Sequence, residues 1–486
     1  MSPSGKTLAQ HRESPDSDAL CYMSAAELVD MQLRKAVSSR EILEAFLDRI
    51  SRCNPSVNAI VTLDAERAFD AARRCDAAMA AGRPLGVLHG LPVAHKDLFP
   101  TEGMRTTWGS LARADTIPQV SALHILRLRA EGAISIGKTN TPEFGAGSQT
   151  FNEVFGTTLN PYDAGKTSGG SSGGAAAALA SGMVALADGS DMGGSLRNPA
   201  AFCNVVGLRP TPGTVPTWPN ELPWSTLSVD GPMARSASDT ARMLSAMAGP
   251  DPRSPISRQL PGDRFRQPIE RDFAGTKIAF SPDFARLMPI EPAITGAVDA
   301  CAVHFASFGC KLVSACPAFD GADRVFKTER AWIYSSLYGH LLERNRDLLK
   351  QTVVWNIEQG ENLTGADLAA ARRKRAALWH EMVGFMAEHE YLVVPTTQVL
   401  PFSADVEYPE EIQGVPMESY IDWMQSCYFI SVTGHPAASV PCGFSDEGLP
   451  IGLQIVGRYG DDFGVLQLAH AFERVSRFGA RRPDQS

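Results

Sequence analysis

Between Gly90 and Ala187 the chain alternates short apolar runs (Gly90 to Ala94, Ala133 to Ile136, Met183 to Ala187) with helix-like segments (Ser121 to Glu131, Gly173 to Ser181). Runs this short, bounded by turn residues, read as buried strands, and their alternation with helical stretches is the rhythm of an α/β sheet with crossover helices. Upstream, Ser24 followed by Glu27 and Ser38 followed by Glu41 have capping-box spacing, ahead of a helical pattern through Leu43, Phe46, Leu47 and Ile50. Two N-terminal helices are expected there.

Pro250, Pro252, Pro255 and Pro261 mark a linker-like passage before an apolar run, Lys277 to Phe280, resumes a strand. From Phe326 to Glu388 the pattern is long, amphipathic and helical, and carries exposed-looking aromatics, Trp332, Tyr334, Tyr338 and Trp355. It reads as an insertion packed over one end of the sheet. Tyr391 to Val394, followed by Pro395-Thr396-Thr397, and then Ala437 to Val440 and Leu453 to Val456, return the chain to the sheet. The expected division is a disordered tail over 1–20, the first part of the core over 21–254, a variable, mainly helical segment over 255–390, and the rest of the core over 391–486. No internal repeat is visible, which sets solenoids and propellers aside.

Composition narrows the class. A chain of 486 residues with 44% hydrophobic, 20% charged and 8% aromatic content is globular, which excludes collagen, wholesale disorder and small disulfide scaffolds. Lys+Arg 45 against Asp+Glu 54 gives a net charge of −9, so nothing draws the molecule to phosphate backbones or anionic membranes, and nucleic acid is not an expected partner. The longest weakly polar stretch, Gly173 to Ala187, is mostly Ala, Gly and Ser, too short and too small to span a bilayer. Met1 to Leu20 lacks the apolar core of a secretory signal, and the expected location is cytoplasmic. The odd number of cysteines, spread from Cys21 to Cys442 without Cys-x-x-Cys, reads as structural thiols, with neither a zinc site nor a disulfide framework.

One region departs from ordinary core or loop. Thr167-Ser168-Gly169-Gly170-Ser171-Ser172-Gly173-Gly174 opens an Ala-rich helix, and Gly189-Ser190-Asp191-Met192-Gly193-Gly194-Ser195-Leu196-Arg197 follows the next strand. Glycine is conformationally costly, so two such clusters imply close backbone approach or positive φ. Gly165-Lys166-Thr167 resembles the end of a P-loop, but position 160 is Asn where that motif needs Gly, and Leu159 to Asp163 reads as a turn rather than the strand required before it. The same turn counts against Gly169 to Gly173 as a nucleophile elbow. Upstream, Lys96 directly follows an apolar run in Gly90-Leu91-Pro92-Val93-Ala94-His95-Lys96-Asp97. A lysine placed there is desolvated, which lowers its pKa, unless it snorkels or pairs with Asp97.

Taken in order, the Lys96 strand and the two glycine-serine loops resemble the amidase signature family of serine hydrolases. The similarity continues through Thr106-Thr107-Trp108-Gly109-Ser110, Gly137-Lys138-Thr139-Asn140, Phe155-Gly156-Thr157, Gly207-Leu208-Arg209-Pro210-Thr211, Thr433-Gly434-His435-Pro436-Ala437 and Gly448-Leu449-Pro450-Ile451-Gly452, and fades over roughly 255 to 390. The resemblance implies an α/β fold with a mixed central β-sheet flanked by helices and a helical insertion over the active-site end. It implies Ser195 as nucleophile, Ser171 as a bridging serine preceded by a cis peptide bond, and Lys96 as the base. Unactivated serine is a weak nucleophile that needs a positioned base. A lysine can be that base only as a neutral amine, and a serine between them can donate and accept at once. Backbone N–H groups of Met192, Gly193 and Gly194, with that of Ser195, are expected to form an oxyanion hole, an effect of about 3 kcal/mol per donor. Asp191 and Arg197 are expected to pin that loop, and Ser172 to hydrogen-bond near Lys96.

Three positions depart from the family pattern: His95 stands where a small or apolar residue is expected, Ser190 where Thr is usual, and Leu98 where Asn is frequent. His95 follows strand alternation onto the face opposite Lys96 and is expected to bond backbone there. His89, His124 and His435 are scattered, so no metal is expected, and the chemistry implies no cofactor. The implied activity is hydrolysis of small-molecule amides through an acyl-enzyme, with aryl amides, esters and carbamates (urethanes) admissible. Trp332, Tyr338, Trp355, Tyr420 and Trp423 hint at a bulky apolar or aromatic group. Two other readings stay open: an amidotransferase-type amidase subunit, and a non-catalytic nucleotide-binding or scaffolding protein. A homodimer is admissible.

Overall fold

A computed structural model describes residues 17–83 and 85–484. Its first helix, α1 (Ser17–Tyr22), begins inside the stretch expected to be a tail, which corrects that boundary; residues 1–16 lie outside the described residues. Helices α2 (Ala25–Leu33) and α3 (Ser39–Val57) start at Ser24 and Ser38, and both capping boxes form as the spacing requires.

Eleven strands make one mixed sheet: β1 (Ile60–Leu63), β2 (Pro92–Lys96), β3 (Ile134–Thr139), β4 (Leu186–Asp191), β5 (Val206–Arg209), β6 (Val229–Ala234), β7 (Lys277–Phe280), β8 (Lys311–Val313), β9 (Tyr391–Pro395), β10 (Ala437–Phe444) and β11 (Pro450–Gly457). Their spatial order is β1-β3-β2-β4-β6-β5-β10-β11-β9-β7-β8. Strands β3, β2 and β4 run parallel, as do β9, β7 and β8, and the pairs between these groups are antiparallel. Segment 255–390 is therefore not helical throughout, because β7 and β8 within it complete one edge of the sheet.

Both faces of the sheet are covered. Val93 and Leu186, register partners on β2 and β4, belong to one apolar cluster, and their neighbours Ala94 and Ala187 belong to another. Alternation along a strand sends successive side chains to opposite faces, so the two clusters are the two layers of core. Helix α4 (Leu123–Ala130) joins β2 to β3, and the alanine-rich α5 (Gly173–Ala180) packs on β2, β3 and β4. A Cβ on Gly174 would stand 2.3 Å from Asn140 N, so one glycine of the first cluster exists for close approach. The short helix α6 (Arg197–Phe202) follows β4. Three helices, α7 (Ala322–Asn345), α8 (Gln351–Glu361) and α9 (Gly365–Glu388), fill the stretch that reads as an insertion.

The segment before the first Gly-Ser cluster is a small hairpin: Leu159–Asn160 pairs with Asp163–Thr167, apart from the main sheet. Strand residues do precede Ser168, but they belong to a two-stranded ribbon and not to the core strand that a P-loop or a nucleophile elbow springs from.

Candidate active site

Because β2 and β4 are parallel neighbours, their C-terminal ends, Lys96 and Asp191, lie at one edge of the sheet. The loops that follow carry the expected chemistry, and α5 brings its N-terminal loop to the same place. Ser171, Ser190, Met192 and Ser195 line one cavity of about 230 Å³, which α7 covers with Arg330, Tyr334 and Tyr338.

Lys96 is wholly buried, and its Nζ donates to Ser171 Oγ at 2.7 Å and to Ser190 Oγ at 3.1 Å. Burial pushes its pKa down to about 7, against the opposing pull of Asp191, Asp230 and Asp188. Lys138, on the next strand, is equally buried, but its Nζ goes to Phe99 O at 2.5 Å and Thr101 Oγ1 at 2.9 Å. Two lysines thus leave the surface, and one of them meets the serines.

The Gly170–Ser171 peptide bond is cis. Its carbonyl accepts from Ser148 Oγ at 2.5 Å, which in turn accepts from Asn198 Nδ2 at 2.9 Å, and Gly169 O accepts from Thr150 Oγ1 at 2.8 Å. Nothing in the sequence singles out Ser148, Thr150 or Asn198; hydroxyls and amides on separate loops give no local pattern that joins them.

Asp191 organises the Ser195 loop. Its carboxylate accepts from Gly194 N at 2.9 Å, Leu196 N at 3.1 Å, Arg197 Nε at 3.0 Å and Arg197 Nη2 at 3.0 Å, and Arg209 pairs with it as well. Burial alone would raise this carboxyl, but the two guanidiniums and the loop N–H groups hold it well below the usual carboxylate range. Arg197 also ties the loop to Cys427 O, Gln454 Oε1 and Ser431 Oγ. The Gly194 N–H, expected to face an oxyanion, is donated to Asp191. Gly194 has φ 117°, which glycine alone adopts without strain, and a Cβ on Gly193 would stand 2.7 Å from Phe326.

Ser172 bonds beside Lys96 rather than to it: its N–H donates to Ser195 O at 3.1 Å and its Oγ to Ser190 O at 3.5 Å, while Ser190 Oγ accepts from Lys96 Nζ. The expectation for the neighbouring histidine is corrected. His95 faces away from Lys96 as alternation requires, yet it bonds side chains rather than backbone: Nδ1 to Asp188 Oδ2 at 2.5 Å and Nε2 to Ser135 Oγ at 2.7 Å. Burial keeps the ring neutral, so the proton on Nδ1 is donated to Asp188 while Ser135 donates to Nε2. Asp188 also accepts the Lys96 backbone N–H at 2.8 Å, and His124 lies 3.4 Å from Asp188 and 3.5 Å from Asp230. Asp230 lines the cavity. Among the aromatics, Tyr338 lines the cavity, Tyr420 hydrogen-bonds Arg330, and Trp423 is core, packed on Phe202 and Phe402. Trp332 lines a separate outer groove, and Trp355 packs edge-on against Tyr420.

Comparison with known proteins identifies the family. The amidase family model matches residues 41–466. An acylamidase of Rhodococcus erythropolis is 35% identical over 471 residues, 96% of this chain and 98% of that protein. A glutamyl-tRNA(Gln) amidotransferase subunit from Moorella thermoacetica is 34% identical over 489 residues, 96% of this chain and 99% of that protein. The crystal structure of a bacterial aryl acylamidase of the amidase signature family superposes with TM-score 0.86 at 28% identity, covering 95% of this chain and 99% of its own. With a family match over most of its length and a mixed eleven-stranded sheet of the same architecture, the chain belongs to the amidase signature family and is a hydrolase of carbon–nitrogen bonds other than peptide bonds.

Proposed function

We propose that the chain cleaves small-molecule amides, aryl amides and carbamates among them, through a Ser195–Ser171–Lys96 triad and a covalent acyl-enzyme. The observation that carries this reading is the 2.7 Å contact from the buried Lys96 Nζ to Ser171 Oγ, at the cavity Ser195 lines. Ser195 Oγ attacks the carbonyl carbon while its proton passes to Ser171, whose own proton passes to the neutral Lys96 amine. The relay then runs backwards to protonate the departing amine, and water repeats the cycle on the acyl-enzyme. Met192 and Gly193 N–H, with that of Ser195, stabilise the oxyanion, and Gly194 acts by anchoring the turn to Asp191.

Tyr334 and Tyr338 in the cavity wall support an aromatic group on the substrate, as does the similarity to the aryl acylamidase. All nine cysteines are free thiols, which supports a cytoplasmic location, and no described helix is long and apolar enough to cross a membrane. The same reading admits a homodimer, which light scattering reads.

Fluorophosphonate treatment followed by intact-protein mass spectrometry, on wild type and Ser195→Ala, tests the nucleophile, with turnover of anilides and urethanes measured alongside. A single adduct that disappears in the variant together with turnover is the expected result. An active Ser195→Ala protein would refute the assignment. Similarity to amidotransferase subunits favours a second reading, work within a larger assembly on aminoacyl-tRNA. Hydrolysis of simple amides by the purified chain alone sets it aside.

A further inference from the structure

Arg330, on α7, lines the active-site cavity and is only 4% exposed. Guanidinium stays charged at any pH a protein meets and carries five N–H donors, so burying it demands acceptors and a counter-charge. Its Nη2 donates to Tyr420 Oη at 2.7 Å and Tyr334 Oη at 3.1 Å. Its Nη1 reaches only the Met192 thioether, at 3.3 Å, a weak acceptor, and Nε has no hydrogen-bond partner among the described residues.

Among the described residues no carboxylate lies within 4.0 Å of Arg330, whereas the cavity's own acid, Asp230, is paired with His124. Other deeply buried arginines are matched: Arg197 and Arg209 share Asp191. Arg330 is instead held by two phenol rings, its guanidinium carbon 4.5 Å from the Tyr334 centroid and 5.7 Å from that of Tyr420. Tyr334 is fixed in turn by donating to Phe144 O at 3.1 Å, and Tyr420 by accepting from Asn356 at 2.6 Å. The cation is rigidly positioned beside Met192, on the loop that carries Ser195, and its counter-ion is missing.

We propose that Arg330 is a carboxylate subsite, so that the amide this chain cleaves carries a carboxylate that supplies the missing charge. This rests on the amide-hydrolase reading above and adds a substrate class to it. A carboxylate oxygen at Nη1 or Nε replaces a thioether contact or an empty position with a charge-assisted hydrogen bond, and the low polarity around two tyrosine rings strengthens it. Neutral amides leave the guanidinium under-coordinated and bind less well.

Two substrate pairs test the subsite by placing the charge on either side of the scissile bond: the 4-nitroanilides of glutaric and pentanoic acid, and 4-acetamidobenzoate against acetanilide. Wild type is expected to prefer the anionic member of at least one pair by tenfold or more in kcat/KM, mainly through KM. Arg330→Gln is expected to lower kcat/KM for the anionic member at least tenfold more than for the neutral one, and Arg330→Lys to retain part of the preference. Equal use of both members by wild type, or equal losses on both in Arg330→Gln, would overturn the subsite while leaving the amidase reading intact. Benzoate binding by calorimetry gives a readout independent of turnover. Binding weakened tenfold or more in Arg330→Gln supports the subsite, and no binding to wild type, or unchanged binding in the variant, counts against it. Absence of hydrolysis of every amide, with benzoate still bound through Arg330, would instead remove the catalytic reading alone.

Discussion

Lys96 Nζ and Ser171 Oγ stand 2.7 Å apart, with the lysine wholly buried and its pKa pushed down to about 7 by loss of solvent. A base must be unprotonated to accept a proton, so the active form of this pair accumulates as pH rises. The value of kcat/KM should climb along a single limb with an apparent pKa near 7 and level off above it. Lys96→Ala should lose roughly 10²–10⁴-fold at neutral pH, the usual contribution of a positioned base. A flat profile from about pH 5 to 9, or wild-type turnover in the variant, would remove Lys96 from the relay.

The same depressed pKa has a stability consequence of definite sign. Between about 7 in the folded protein and the ordinary 10.5, the unfolded chain binds a proton that the folded one lacks. Stability contributed by this residue therefore rises with pH across that window, and at or below about 7 the fold carries the whole cost of a buried cation. Lys96→Met should be inactive yet more stable at about pH 6, by about 1–4 kcal/mol, with the gain shrinking as pH approaches 10. Urea midpoints at several pH values read this directly. A gain that grew with pH would contradict the sign.

Asp191 is the acid on which two buried arginines and two backbone N–H groups converge. Asp191→Asn keeps the shape and removes the charge, leaving Arg197 and Arg209 without their shared counter-ion. Breaking a buried pair from one side costs about 3–5 kcal/mol. Chemical denaturation should show a loss of that size, accompanied by lower kcat because the Ser195 turn loses its anchor. A loss below about 1 kcal/mol would mean that the arginines are satisfied by the carbonyls around them.

Local signals carry much of this architecture. The capping boxes at Ser24 and Ser38 involve residues three apart, and β2, β3 and β4 show as apolar runs because both of their faces are covered. The glycine clusters are legible for a similar reason: Gly174 meets Asn140 and Gly194 takes a positive φ, and no other residue fits. What stays hidden depends on partners distant in sequence. Strand alternation alone points His95 at backbone, because Asp188, 93 residues away, reveals itself only when β2 and β4 pair. Strand β6 contains Gly231 and Pro232 and shows no apolar run, so the position of Asp230 in the cavity wall leaves no trace. Arg330 sits in an amphipathic helix, where an arginine ordinarily faces water; its buried guanidinium is held by Tyr420, which Asn356 fixes from a distant part of the chain. Ser190 shows in the sequence only as a departure from threonine, since its second role, accepting from Lys96, requires the strand ends to be brought together.

Ser190 separates the relay from its surroundings. Lys96 donates to it at 3.1 Å as well as to Ser171, and an ammonium donates more strongly than an amine, so this acceptor favours the charged form. Removing it in Ser190→Ala should lower the Lys96 pKa further and move the rising limb of kcat/KM toward acid, by up to about 1 unit, which corresponds to about 1.4 kcal/mol. Plateau activity should fall less than tenfold, because Ser171 keeps its contact and the route from Ser195 stays intact. Ser171→Ala, by contrast, should cost far more than Ser190→Ala at every pH, since it removes the hydroxyl that hands the proton on. Paired pH profiles of the two variants decide the matter: a collapse in Ser190→Ala with Ser171→Ala spared would mean that the proton travels through Ser190.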